Sequence, residues 1–335
     1  MPLAEAASVW LLLVAPLASA IELPSTPPAL PDNGYQWLNS SPLTYEDAQG
    51  KGIVFWYYEE SCPVCASKWP GIMESVEEHA EDPVLFVGVI SGRSRADVRS
   101  YVRKNKVDWP VIVDEDRSFE AASGDVSINL NSIVDVRVVQ PDGSYTWGWW
   151  NDIPKTVEHA AKGAAWKFEH DRFPEEFRPV VRRLEFGDYL SAAPAIRSGL
   201  KSDSKGLKKT AGYMQQFVEH KMRASIARQT RPLSETDDYG RYLALESVSN
   251  RFAPHKLPQA EAEQLEKLQK LPAVASEVTA RKVVDAAQPL LSNPDPRKQA
   301  KAVTRLRRVI DRHPNTRAAA DAEALIARSR PAPGK

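Results

Sequence analysis

The stretch Ile53-Val54-Phe55-Trp56-Tyr57-Tyr58-Glu59-Glu60-Ser61-Cys62-Pro63-Val64-Cys65 constrains this chain more than any other. A run of β-branched and aromatic residues reads as a buried strand. A short acidic turn follows, then two cysteines separated by two residues, then an amphipathic run through Ile72, Met73 and Val76. The pattern is a strand feeding a helix, with the cysteine pair at the helix N-terminus. Unpaired N–H groups and the positive end of the helix dipole favour a thiolate there. The thiolate is the form that attacks a disulfide. The chain has 2 cysteines, and both lie in this stretch.

The pair has blander readings. It could be buried and only pack, or it could be half of a zinc site. Zinc takes about four ligands, and no second Cys-x-x-Cys or close Cys/His pair completes a set. The six histidines, His79, His159, His170, His220, His255 and His313, are scattered without ligand spacing. No metal site and no cofactor are expected.

The apolar strand, the Cys62-Pro63-Val64-Cys65 motif and Pro70 resemble the active-site region of the thioredoxin superfamily, whose helix carries a proline near that place. The resemblance spans roughly residues 35–166. The extra strand and helix between Trp109 and Ala122 are similar to the insertion of the TlpA-like and peroxiredoxin-like branch. It implies an α/β thioredoxin-like domain in which Cys62 is the attacking thiolate and Cys65 resolves the mixed disulfide. Two departures accompany it. The family's cis-proline would fall near Val134, yet Ser132-Ile133-Val134-Asp135 contains no proline. A non-proline cis bond costs about 2.5–4 kcal/mol, so a trans loop is expected there, and substrate binding is put in question. The buried acid that some thioredoxins place under the second cysteine falls at Trp56; Glu59 or Glu60 could serve instead, though the blander reading of both is solvated turn carboxylates. Residues 57–61 also lack the Pro and Thr/Ser pattern upstream of a peroxiredoxin cysteine.

At 335 residues the chain has room for two domains or so, and its formal net charge of zero implies no nucleic-acid partner. Residues 1–20 carry an apolar core from Val9 to Leu17 and end in Ala18-Ser19-Ala20, a pattern that reads as a cleaved signal peptide. No Lys or Arg precedes the run, which leaves a misassigned start or an uncleaved anchor as the alternatives; the run is short for a bilayer span. Export would place the cysteines in a periplasmic or extracellular setting, outside the reducing cytosol. With no stable span after cleavage, the mature chain would begin near Ile21. Residues 21–34, with Pro24, Pro27, Pro28 and Pro31, read as an extended, unpacked linker.

Within the domain at 35–168, a short helix is expected over Leu43–Gln49, strands over Val84–Ile90, Pro110–Asp114, Ile133–Val139 and Tyr145–Trp149, and helices over Arg95–Lys106, Ser118–Ala122 and Pro154–Trp166. Alternating strands and helices indicate an α/β sheet. The remainder, 172–330, is all-α by composition and period: Phe177, Val180, Val181 and Leu184 recur helically, as do Ala192, Ala195, Ile196 and Leu200. Leu184 to Ala192 resembles the turn of a tetratricopeptide (TPR) repeat, with a weaker echo at Ala302–Asn315; a plain helical bundle is the alternative. Leu265, Leu268 and Leu271 read as core, and Arg305, Arg307, Arg308 and Arg312 as a solvated face. The composition shift predicts separable halves joined between Trp166 and Phe173. The functional expectation is an exported thiol–disulfide oxidoreductase acting on protein thiols and disulfides, with a partner-binding helical domain. A non-catalytic thioredoxin-like and TPR-like adaptor, and less so a metal carrier using both thiolates, are the alternatives.

Overall fold

The computed structural model describes residues 24–59, 63–129, 131–291 and 295–329; the side chains of 63–66 and 68 are outside that description. The expected signal segment, Glu60 and Cys62 therefore lie outside the described residues.

The front half is a mixed sheet of six strands in the order β1-β4-β3-β2-β5-β6. The strands are β1 (Trp37–Leu38), β2 (Gly52–Tyr58), β3 (Val84–Ser91), β4 (Val111–Asp114), β5 (Val134–Val139) and β6 (Tyr145–Trp147). β2, β3 and β4 run parallel; β1, β5 and β6 are antiparallel to their neighbours. All of β2 is buried, and alternate side chains pass to opposite faces. Val54, Trp56 and Tyr58 face one core with α1 (Pro63–Glu78), α2 (Arg95–Lys104) and α4 (Ile153–Ala161). Ile53, Phe55 and Tyr57 face the other, with Phe119 of α3 (Ser118–Ala122), Ile128 and Phe186. At Gly52 a Cβ would sit 2.4 Å from the Ala160 carbonyl oxygen, so a side chain there would push α4 off the sheet.

The structure corrects several local expectations. No helix forms over Leu43–Gln49, where residues 45–50 are turn. Gly50, at φ +79°, reverses the chain into β2 before a helix can propagate. α4 stops at Ala161, short of Trp166, where Gly163 at φ +79° follows its end. The two-residue β1 has no periodicity to announce it. The described part of the proline-rich segment is packed: Pro28 is buried and Leu30 joins the second core. Proline carbonyls remain free acceptors, and Tyr45 Oη donates to that of Pro28 at 2.7 Å while Trp37 Nε1 donates to that of Pro31 at 2.8 Å.

The back half is all helical: α5 (Arg178–Glu185), α6 (Tyr189–Leu200), α7 (Lys205–Thr230), α8 (Asp238–Arg251), α9 (Gln259–Lys270), α10 (Pro272–Leu291), α11 (Pro296–Arg312) and α12 (Arg317–Ser329). One core joins α5 through α9 and the start of α10, and another joins α10, α11 and α12. Of the three leucines expected in the core, Leu268 is buried, Leu265 packs against the core, and Leu271 is exposed.

The halves share buried charge. Lys51 Nζ lies 3.2 Å from Glu185 Oε2, and both side chains are fully buried. Glu185 also accepts from the Lys167 and Phe168 amides at 2.8 and 3.0 Å and meets His170 Nε2 at 3.0 Å. Reciprocally, Asp47 of the front half pairs with Arg251 and Lys221 of the helical half. The Ala165 amide donates to the Gly50 carbonyl at 3.1 Å. The helical half is thus seated at the N-terminal end of β2, the end away from the cysteine motif.

Candidate functional site

β2 delivers the chain to the motif. Its last residue, Tyr58, is paired with Val134 of β5. The next amide, Glu59, donates to the Ile133 carbonyl at 3.0 Å. The Glu59 carboxylate is buried and meets Arg93 Nη2 at 2.9 Å. This overturns the expectation of a solvated turn carboxylate: Arg93, 34 residues further on, folds back over it. Trp56, where some relatives carry an acid, is an apolar core residue.

α1 opens at Pro63, so Cys65 is its third residue and Cys62 immediately precedes it. The proline fixes φ for the first helical position and lacks an N–H that would have no intrahelical acceptor. Further along, Pro70 lies inside the helix, as the resemblance implies. Between them Trp69 is buried against Tyr58, Trp109 and Tyr101, with ring centroids 5.1, 5.5 and 6.0 Å away. These rings lock α1 to the end of β2.

The loop into β5 has no proline, and among the described residues the one cis peptide bond is Ala253–Pro254. Ile133 and Val134 therefore meet the motif's side of the sheet through trans backbone. Together with Trp56, Tyr58, Trp69 and Ile72 they line a cleft of about 530 Å³, to which Trp150 and, at the start of α4, Ile153 also contribute. Its walls are mostly apolar. Asp135, one residue beyond Val134, has its carboxyl pushed up by burial, while Arg137 pulls the other way. Among the described residues no group of three His, Cys, Asp or Glu side chains could hold a metal ion.

The Glu59–Arg93 pair and the contribution of α4 to the cleft are not among the features read from the sequence. The run Trp147-Gly148-Trp149-Trp150 ahead of α4 was the available signal: three tryptophans at the mouth of a helix need a surface to cover or to bind.

Residues 29–140 match the model of the AhpC/TSA family. No curated protein matches the chain. Among solved structures, a thioredoxin-family thiol:disulfide interchange protein from Chlorobium tepidum TLS is 18% identical, over 42% of this chain and 99% of its own, with a TM-score of 0.34. A putative thioredoxin from Neisseria meningitidis is 18% identical, over 38% of this chain and 87% of its own, with a TM-score of 0.32. A secreted Mycobacterium tuberculosis disulfide oxidoreductase homologous to E. coli DsbE is 21% identical, over 35% of this chain and 84% of its own, with a TM-score of 0.27. With the family match falling on the mixed sheet and its strand–Cys-x-x-Cys–helix unit, the N-terminal half is a thioredoxin-like domain, and an all-helical region follows it.

Proposed function

We propose that this chain is an exported thiol–disulfide oxidoreductase acting on protein thiols and disulfides. The observation that supports the reading is that the Cys62-Pro63-Val64-Cys65 motif falls, in the sequence, between β2, which ends at Tyr58, and α1, which opens at Pro63, while Tyr58 of the strand and Trp69 and Ile72 of the helix line an apolar cleft. A helix N-terminus lowers a thiol's pKa and supplies the thiolate. In the proposed step, the Cys62 thiolate attacks one sulfur of a substrate disulfide. The other substrate sulfur leaves as a thiolate, and a mixed disulfide remains on Cys62. Cys65, deprotonated, then attacks Cys62 Sγ, releasing the second substrate thiolate and leaving Cys62–Cys65 oxidised. The reverse sequence oxidises a substrate dithiol.

Pro63 withholds one N–H and Val64 adds no charge, so the thiolate is stabilised only moderately. A strongly oxidising pair needs a well-stabilised reduced form; an intermediate or reductant-leaning potential is the proposed poise. Export rests on the residue pattern of 1–20. No helix of the described residues is long and apolar enough to cross a membrane. The helical region, read as TPR-like, would hold a protein partner.

A second reading is favoured by the proline-free loop at Ile133–Val134: an adaptor whose thioredoxin-like domain does not turn over. Insulin reduction by dithiothreitol separates the two. Catalysis of precipitation by the native protein, lost in Cys62→Ser, supports the oxidoreductase; a native protein no faster than dithiothreitol alone leaves the adaptor.

A further inference from the structure

α11 concentrates charge that the chain as a whole does not carry. Its sequence, PRKQAKAVTRLRRVIDR, holds seven Lys or Arg residues against one Asp, in a protein of zero formal net charge. The apolar side is committed: Ala302, Leu306 and Val309 are buried in the core shared with α10 and α12. Lys298, Lys301, Arg305, Arg308 and Arg312 recur at alternating three- and four-residue spacing. That spacing aligns them along one flank, over roughly 21 Å at about 1.5 Å of rise per residue. Four of the five are exposed and Arg305 is half-buried.

None of the five is in an ion pair among the described residues. Basic residues of the neighbouring helices behave differently: Arg281 pairs with Asp321 and Arg317 with Asp237, each at 2.7 Å. Like charges one turn apart on a helix repel one another. The stripe thus keeps five cations in a row, none of them in an ion pair among the described residues.

We propose that this flank of α11 is a docking site for an acidic segment of a partner protein, a helix carrying Asp or Glu at matching spacing. The stripe is linear and one helix wide, which suits a rod-like partner better than a bilayer plane. A membrane-bound amphipathic helix inserts its apolar face, and that of α11 is inside the protein. An oligonucleotide is also a linear polyanion, but single-stranded nucleic acid is held by stacking on aromatic rings, and α11 contains no aromatic residue. Paired with the acidic helix, the five cations gain the partners that the fold withholds.

The test uses the full chain and a labelled helical peptide of about 20 residues with Glu at i, i+3 and i+7 spacing. A scrambled peptide of the same composition, phosphatidylglycerol vesicles and a single-stranded oligonucleotide are run in parallel. The native protein is expected to bind the striped peptide at least fivefold more tightly than the scrambled one, and less tightly as salt is added. Lys301→Glu/Arg308→Glu is expected to lose at least tenfold and Lys301→Gln/Arg308→Gln a smaller amount, both with an unchanged circular dichroism melt. Equal binding of the two peptides, undiminished binding by the charge-reversed variant, or tighter binding to vesicles or oligonucleotide would each overturn the proposal.

Discussion

At the scale of residues, buried carboxylates with many donors do the joining. Glu185 collects Lys51, His170 and two backbone amides in a fully buried position. Burial lowers the Lys51 pKa, and the Glu185 charge opposes that shift. Glu185→Gln leaves the desolvation of Lys51 less opposed, so its amine gives up its proton at lower pH than in the native protein. Breaking a buried pair from one side costs roughly 3–5 kcal/mol. The cost belongs to the charged amine, so it is fully present below the lowered folded pKa. It shrinks as pH rises from there toward lysine's unfolded value. Urea unfolding at neutral and alkaline pH is expected to show the deficit narrowing with pH; a constant deficit would place the loss elsewhere. Asp47 is the reciprocal hub, and Arg251→Ala, which strips its principal cation, is expected to lower the urea midpoint by an amount of the same order. Neither hub is legible in sequence, because the partners are far apart in the chain: Asp47 and Arg251 are separated by 204 positions. The burial of Glu59 was hidden for the same reason, since an acid beside two turn residues looks solvated until Arg93 closes on it.

At the scale of elements, local patterns were readable where one residue period ran unbroken. The continuous apolar runs gave β2 and β3, and the 3.6-residue recurrence gave α5 and α6, together with the turn between them. That turn contains Gly187 at φ +79°, where an added Cβ would lie 2.5 Å from Asp47 Oδ2. Only glycine satisfies both the left-handed backbone and the close approach. Gly187→Ala is expected to cost roughly 1–3 kcal/mol. The loss should be largely absent in a background where Asp47 is already Ala if the close approach dominates, and retained if backbone strain does; calorimetry of the double-mutant cycle reads the difference. Elements set by single chain-reversing residues were misjudged. Gly50 converted an expected helix over Leu43–Gln49 into turns, and Gly163 cut α4 short. In the proline-rich segment Pro28 and Leu30 pack without regular structure, so no local period announces their burial.

At the scale of the whole molecule, the composition shift located the change from α/β to all-α, but it could not reveal how the two halves meet. Phe186 of the helical half enters the second core of the sheet, and Lys51 and Asp47 find their charge partners across the junction. A chain ending near His170 would leave Lys51 buried without Glu185 and expose the surface around Ile53 and Trp166. Such a truncation is expected to melt well below the full chain, with Lys51→Met recovering part of the loss. A truncation melting with the full chain would instead support the expectation of separable halves.

The cysteine motif ties these scales together, because the roles of its two thiols follow from where β2 ends and α1 begins. Cys62 directly precedes the first helical residue in the sequence, and a thiol held at a helix N-terminus can have its pKa lowered to about 3.5–7.5; Cys65 is the third residue of α1. The most direct measurement is the alkylation rate of each thiol in the reduced protein at slightly acidic pH, resolved by peptide mass spectrometry. Cys62 is expected to react much faster than Cys65, with Cys65→Ala retaining stable mixed disulfides and Cys62→Ser forming none. Equal rates for the two thiols, both near that of a free cysteine, would contradict the oxidoreductase reading and favour the adaptor.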